Sequence, residues 1–300
     1  MSDAASKSKP SAQPLIMSVV TFATALVAAG LFALGQMNNT GIFPGPNSES
    51  MTYRNGAKPV ESAVFIESAD GTRLRTTYIE ADVADTSFHF LFCGGNAEAP
   101  GHPDSQPIKT LRKYGDVLTF DYRGFGNSKG EPSEAGLYQD ARAVYAHGQR
   151  TYNWQTNKVV IVGYSLGGAP AIRLTTDLLM KDRPDTLKDA GPPAGLILQA
   201  PFSNIQQMGS VVYPWIPLPH WFALMHLDNL KRAPTLTLPV LHYHGVDDKI
   251  IPIQLGQQLS EAMPDDPIFI ELPNTGHLTI WERNKDLLEI QIAQFLKELK

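Results

Sequence analysis

VVIVGYSLGGAP, residues 159–170, opens on apolar β-formers and breaks into Ser165, set between Gly163 and Gly167 with Gly168 following at once. Three small residues around one hydroxyl describe a turn too tight for side chains. The valines and isoleucine ahead of it suit a strand, and the amphipathic run behind it suits a helix. A strand turning sharply into a helix exposes a serine at the apex, because small neighbours let the backbone close around it. The plainer alternative is a glycine-rich helix start with Ser165 as its cap. If Ser165 is instead a nucleophile, the chain must also supply a base and a carboxylate that orients it.

Outward from this turn, short β-branched or apolar runs alternate with longer amphipathic ones. Residues 64–67, 73–80, 88–93, 117–122, 159–163, 196–199, 240–244 and 268–272 read as eight strands. Residues 106–113, 133–150, 166–181, 253–262 and 283–300 read as helices. Asp70-Gly71 is a turn signal that would fold the first two strands into a hairpin. The later strands are near-continuous hydrophobic runs, as expected where helices cover both faces. Such alternation predicts a mostly parallel α/β sheet whose ligands bind beyond the carboxyl ends of the strands.

On a sheet of this kind the serine should be followed in chain order by an acid and then a histidine. Asp247-Asp248 follows the seventh strand and His277 the eighth, behind the turn Asn274-Thr275-Gly276. Both sit on loops where a side chain can project over the sheet edge. The bland alternative for His277 is a surface-loop histidine. His242 and His244, within and at the end of the seventh strand, read as packing residues.

These pieces resemble the α/β-hydrolase superfamily, in its membrane-tethered lipase and esterase branch. That branch includes the bud-emergence-type hydrolases and the lysophospholipid and monoacylglycerol lipases. The likeness runs from about residue 60 to the C-terminus. It rests on FDYRGFGNSKG (120–130), GYSLGG (163–168), LILQAPFSNI (196–205), HGVDDKIIP (244–252) and NTGH (274–277), in the family's order. It implies an eight-stranded sheet with helices on both faces and a short lid after the sixth strand. The catalytic residues would be Ser165, Asp248 and His277. In the family's H-G-x-x-D-x-x-V/I-P pattern the acid stands four residues before proline, which selects Asp248 over Asp247. The oxyanion hole would be built from backbone N–H groups of Leu166 and, in LFCGGNAEAPGH (91–102), Asn96. Relatives commonly carry His-Gly-Asn-Ala there; this chain has Gly94 in place of the histidine. Asp121, Arg123 and Gly126 match residues that brace the loop after the fourth strand. Cys93 reads as a small buried apolar residue.

Residues 201–234, read as one long loop, crowd Met208, Tyr213, Trp215, Trp221, Phe222 and Met225 between prolines. Loops of that length in a compact domain usually serve function, and an apolar one suits an acyl chain. Packing of the cap onto the core would ask for the same residues.

The first fifty residues differ from the rest. Residues 1–14 are rich in Ser, Ala, Lys and Pro, a composition expected to be disordered. Residues 15–35 carry no charge, and at about 1.5 Å per residue a helix of that length spans the ~30 Å core of a bilayer. That length favours a transmembrane signal anchor over a cleaved signal peptide, whose apolar core usually runs about 7–15 residues. Ala33 and Gly35 keep cleavage, and hence a secreted protein, open. Lys7 and Lys9 precede the segment and no basic residue follows until Arg54, which places the catalytic domain on the non-cytoplasmic side, in periplasm or ER lumen. Residues 36–59 read as a linker, leaving 60–300 as the catalytic domain.

Of the 300 residues 43% are hydrophobic and 18% charged, and the net charge of −5 with no basic run argues against nucleic acid. One cysteine excludes an internal disulfide framework. No cofactor or metal is expected, and nothing bears on oligomeric state. The function read from the sequence is hydrolysis of carboxylic, lipid-like esters through an acyl-enzyme. A peptidase using the same triad and a non-catalytic scaffold are the alternatives.

Overall fold

The computed structural model describes residues 63–84, 86–96, 105–212 and 226–299. The expected disordered N-terminus, anchor and linker, and the aromatic run at 213–225, lie outside them. Among the described residues no helix is long and apolar enough to cross a membrane.

Eight strands form one sheet: β1 (Ala63–Glu67), β2 (Arg73–Ile79), β3 (Phe88–Cys93), β4 (Gly115–Phe120), β5 (Val159–Tyr164), β6 (Gly195–Gln199), β7 (Val240–Gly245) and β8 (Ile268–Leu272). Their spatial order is β1-β2-β4-β3-β5-β6-β7-β8. β2 runs antiparallel to both β1 and β4, and the other pairs are parallel. The β1–β2 hairpin turns as expected through Asp70-Gly71: Gly71 adopts φ 79°, and Asp70 accepts from the Thr72 N–H at 3.0 Å.

Among the described residues seven helices connect and cover the sheet: α1 (Gln106–Leu111), α2 (Glu134–Tyr152), α3 (Gly168–Leu179), α4 (Ile205–Val212), α5 (Asn229–Arg232), α6 (Ile253–Glu261) and α7 (Ile280–Glu298). Alternate side chains of each strand feed opposite faces. Leu91, Cys93, Val159 and Ile161 pack with Leu137 of α2, Ile172 of α3 and Leu255 of α6. Phe88, Phe90, Phe92, Val160 and Val162 pack with Ile108 of α1 and Leu288, Ile292 and Phe295 of α7. Cys93 is buried as expected, and that burial raises its thiol pKa well above the ordinary range.

Three expectations need correction. β4 begins and ends two residues early. At Gly115 the chain passes so close to Phe88 that any Cβ would meet its carbonyl oxygen. At the far end the Asp121 carboxylate turns aside to Arg75 at 3.5 Å and to the Asn127 N–H at 3.0 Å. Residues 201–234 are partly helical, because Asn204 caps α4 through the Gln207 N–H and Asp228 caps α5 through the Lys231 N–H. The last helix starts at Ile280, with Asn284 as a non-helical break inside it.

The parallel register aligns the carboxyl ends that matter. Cys93 of β3 pairs with Gly163 of β5, and Gly245 of β7 with Leu272 of β8. The turns after β3, β5, β7 and β8 therefore gather along one edge.

Candidate active site

β5 ends at Tyr164, residues 165–167 form a single 3₁₀ turn, and α3 begins at Gly168. Ser165 is held there at φ 53°, a left-handed conformation that costs a non-glycine residue free energy. The flanking glycines are explained by contact. A Cβ on Gly163 would stand 2.8 Å from the Ala171 methyl, one on Gly168 2.7 Å from Pro201, and one on Gly167 would run into the Cys93 carbonyl oxygen. The elbow thus presses on the end of β3 at Gly167, on Pro201 at Gly168 and on the start of α3 at Gly163, and a side chain at any of the three would force a neighbour to shift.

His277 Nε2 lies 2.9 Å from Ser165 Oγ, and His277 Nδ1 lies 2.6 Å from Asp248 Oδ2. All three side chains are buried. The Asp248 Oδ1 accepts from the N–H groups of Ile250 at 2.9 Å and Ile251 at 2.8 Å. Asp247 is exposed, and its backbone N–H is spent on the Thr275 carbonyl at 2.9 Å. The three residues expected to act together are brought together, and Asp248 is the acid that faces the imidazole.

The loop that carries His277 is tied from several sides. Thr279 Oγ1 accepts from the Gly276 N–H at 3.0 Å, and Arg283 donates to the Asn274 carbonyl at 2.8 Å. Asn284, at the break in α7, donates to Thr275 Oγ1 at 2.9 Å. The Tyr164 ring stacks on the imidazole with centroids 5.4 Å apart. Gln199 accepts from Trp281 Nε1 at 2.8 Å and Tyr243 at 3.1 Å, fastening the start of α7 to the sheet.

Leu166 is buried in the first turn after the serine, and Asn96 is half-buried on the turn after β3. A Cβ on Gly95 would lie 3.6 Å from the Ser165 Cβ and 2.9 Å from the Tyr164 ring, so this turn packs directly on the elbow. Where relatives carry histidine, Gly94 offers its carbonyl to the Tyr122 hydroxyl at 2.8 Å. Tyr122, inside FDYRG, thus braces this turn, a contact that the sequence pattern does not signal. The neighbouring Arg123 is occupied elsewhere, with Asp140 at 2.7 Å and Asp70 at 2.8 Å. Asp121, Arg123 and Gly126 are thus structural, as the resemblance implied: Gly126 sits at φ 49° against the Asp121 carboxylate.

Burial would push the Asp248 carboxyl pKa up, but hydrogen bonds from His244, His277 and the Ile251 N–H outweigh it. The carboxyl is held well below the usual carboxylate range. His244, expected to be a packing residue, is therefore also a polar partner of Asp248. Among the described residues, no group of three or more His, Cys, Asp or Glu side chains could hold a metal ion.

The profile of the Alpha/beta hydrolase family matches residues 90–290. An uncharacterized protein of Mycobacterium tuberculosis strain H37Rv is 30% identical over 256 residues, covering 84% of this chain and 85% of that one. The lysophosphatidylserine lipase of Macaca fascicularis is 33% identical over 216 residues, covering 66% of this chain and 50% of the lipase. Among solved structures, an esterase of Pyrococcus furiosus superposes with a TM-score of 0.60 at 17% identity, covering 79% of this chain and 90% of the esterase.

The depressed carboxyl of Asp248 makes stability depend on pH. In the folded state its pKa lies below the unfolded value of about 3.9. Its contribution is therefore complete above that value and fades as the pH falls through it toward the folded one. Denaturant titrations of wild type and Asp248→Asn should show a stability gap that is constant near neutrality and narrows below about pH 5. A gap unchanged down to pH 3 would contradict the assignment.

Proposed function

The chain belongs to the alpha/beta hydrolase family, and we propose that within it the chain is a serine ester hydrolase working through an acyl-enzyme. The observation that carries this reading is the relay Ser165–His277–Asp248, at 2.9 and 2.6 Å, mounted on a left-handed elbow. His277 Nε2 takes the Ser165 proton as Oγ attacks the ester carbonyl. The Leu166 and Asn96 N–H groups receive the developing oxyanion. Protonated His277 then gives its proton to the departing alcohol. A water deprotonated by the same nitrogen hydrolyses the acyl-enzyme and frees Ser165. Asp248 holds the proton on Nδ1 and offsets the imidazolium charge.

Lipid-like esters fit this site best. Val246 and Ile250, each two residues from Asp248, and Leu278, next to His277, are exposed apolar side chains on the turns that carry the relay. The lysophosphatidylserine lipase is a relative by sequence, although the chain spans only half its length. Residues 15–35 supply the uncharged stretch of a membrane tether, with the catalytic domain on the non-cytoplasmic side.

Ser165→Ala should fold yet lose about 10³-fold or more of ester turnover and all labelling by a fluorophosphonate. Turnover of a panel of acyl esters should exceed that of matched amides. Asp248→Asn should lower kcat far more than Asp247→Asn. Wild-type labelling rates in the alanine variant, or a preference for amides, would overturn the proposal.

For the tether, alkaline carbonate extraction should leave the full chain in the membrane pellet. Recovery of a fully soluble protein that begins near Gln36 would make residues 15–35 a cleaved signal.

A further inference from the structure

His244 is the last residue but one of β7 and is wholly buried. Its Nε2 lies 2.8 Å from the Ile251 carbonyl oxygen. A carbonyl only accepts, so Nε2 carries the ring proton. The same nitrogen stands 3.4 Å from Asp248 Oδ2. One N–H thus serves two acceptors on the turn that follows β7. Nδ1 has no hydrogen-bond partner among the described residues, and it faces Gly256 of α6, where a Cβ would collide with it. The glycine leaves room for the imidazole in this one orientation, and all of the ring's polar contact is directed at residues 248–251.

Asp248 shows why that matters. Its Oδ1 is occupied by the Ile250 and Ile251 N–H groups, while Oδ2 receives His277 Nδ1 at 2.6 Å and His244 at 3.4 Å. Without His244, Oδ2 would be steered only by the group it is meant to steer. The Ile251 carbonyl would also be left buried without a donor, which loosens the turn that presents the carboxylate.

We infer that His244 is a positioning residue for the hydrolytic site, fixing the plane of the Asp248 carboxylate and clamping the 248–251 turn to β7. The inference rests on the assignment of Ser165, His277 and Asp248 as the reacting relay. His244 touches no substrate, so its loss should act on turnover and leave substrate binding alone.

The test uses the full chain with a short soluble ester. His244→Leu fills the site without a donor, whereas His244→Gln keeps an N–H on a similar reach. The leucine variant should lose about 10- to 100-fold in kcat with KM nearly unchanged, as misplacement of a catalytic group does. The glutamine variant should recover most of that loss. In an Asp248→Asn background, His244→Leu should cost little more, because the residue through which it acts is already disabled. A purely structural role would instead add its loss in both backgrounds. If His244→Leu does not fold, His244→Asn, whose amide is too short to reach, replaces it in the same comparison. A folded leucine or asparagine variant at the wild-type kcat, equal losses in the donor-bearing and donor-free variants, or full additivity with Asp248→Asn would overturn the inference. Absence of ester hydrolysis in the wild type would instead remove the assignment beneath it.

Discussion

A non-glycine residue held at φ 53° is the constraint on which this structure turns. Left-handed backbone at such a residue costs on the order of 1–3 kcal/mol and persists only where its surroundings over-determine it. Here they do so by contact. β5 delivers the chain between β3 and β6, and α3 starts at once against Pro201, with its own Ala171 folded back on Gly163 and the Cys93 carbonyl against Gly167. Gly163, Gly167 and Gly168 are the points where those neighbours leave no room for a Cβ. The strain lifts one hydroxyl out of the strand's hydrogen-bonding plane, and the same closeness seats the turn after β3 beside it. The proposed nucleophile and oxyanion donors would then both be consequences of one tight turn.

The electrostatics follow from where the partners are rooted. His277 and Asp248 come from turns after β8 and β7, whose carboxyl ends are held in register by the sheet. The Asp248 carboxylate is deeply buried, which would favour its neutral form. Four donors, two from backbone and two from histidines, keep it charged. A charged acid in a dry setting is what an imidazole needs if it is to hold its proton on Nδ1 and become positive during turnover.

Much of this was legible because small residues punctuate the sequence where function needs tight turns. Gly163 and Gly167 mark Ser165, Asn274-Thr275-Gly276 marks His277, and Pro252 separates Asp248 from Asp247. The eight strands were legible from apolar runs, but their ends were set by contacts the runs do not encode, as at Gly115 and Asp121. Residues 205–212 were hidden by the proline-rich run behind them, although Asn204 and the spacing of Ile205 and Met208 carried a helical signal. His244 was read as packing because burial and hydrogen bonding look alike in a strand. Its partnership with Asp248, four residues on, exists only once the chain turns back on itself. Tyr122 was hidden for a similar reason: its contact with Gly94 joins the turns after β4 and β3, 28 residues apart.

The most direct measurement is to catch the covalent intermediate. An activated short-chain ester mixed with the enzyme, quenched in acid within the first turnover and digested, places any acyl group by mass. The account predicts one acyl addition, on the peptide containing Ser165 and absent from Ser165→Ala. An acyl group on any other residue, or hydrolysis with no acyl-enzyme in either the quenched or the steady-state sample, would contradict it.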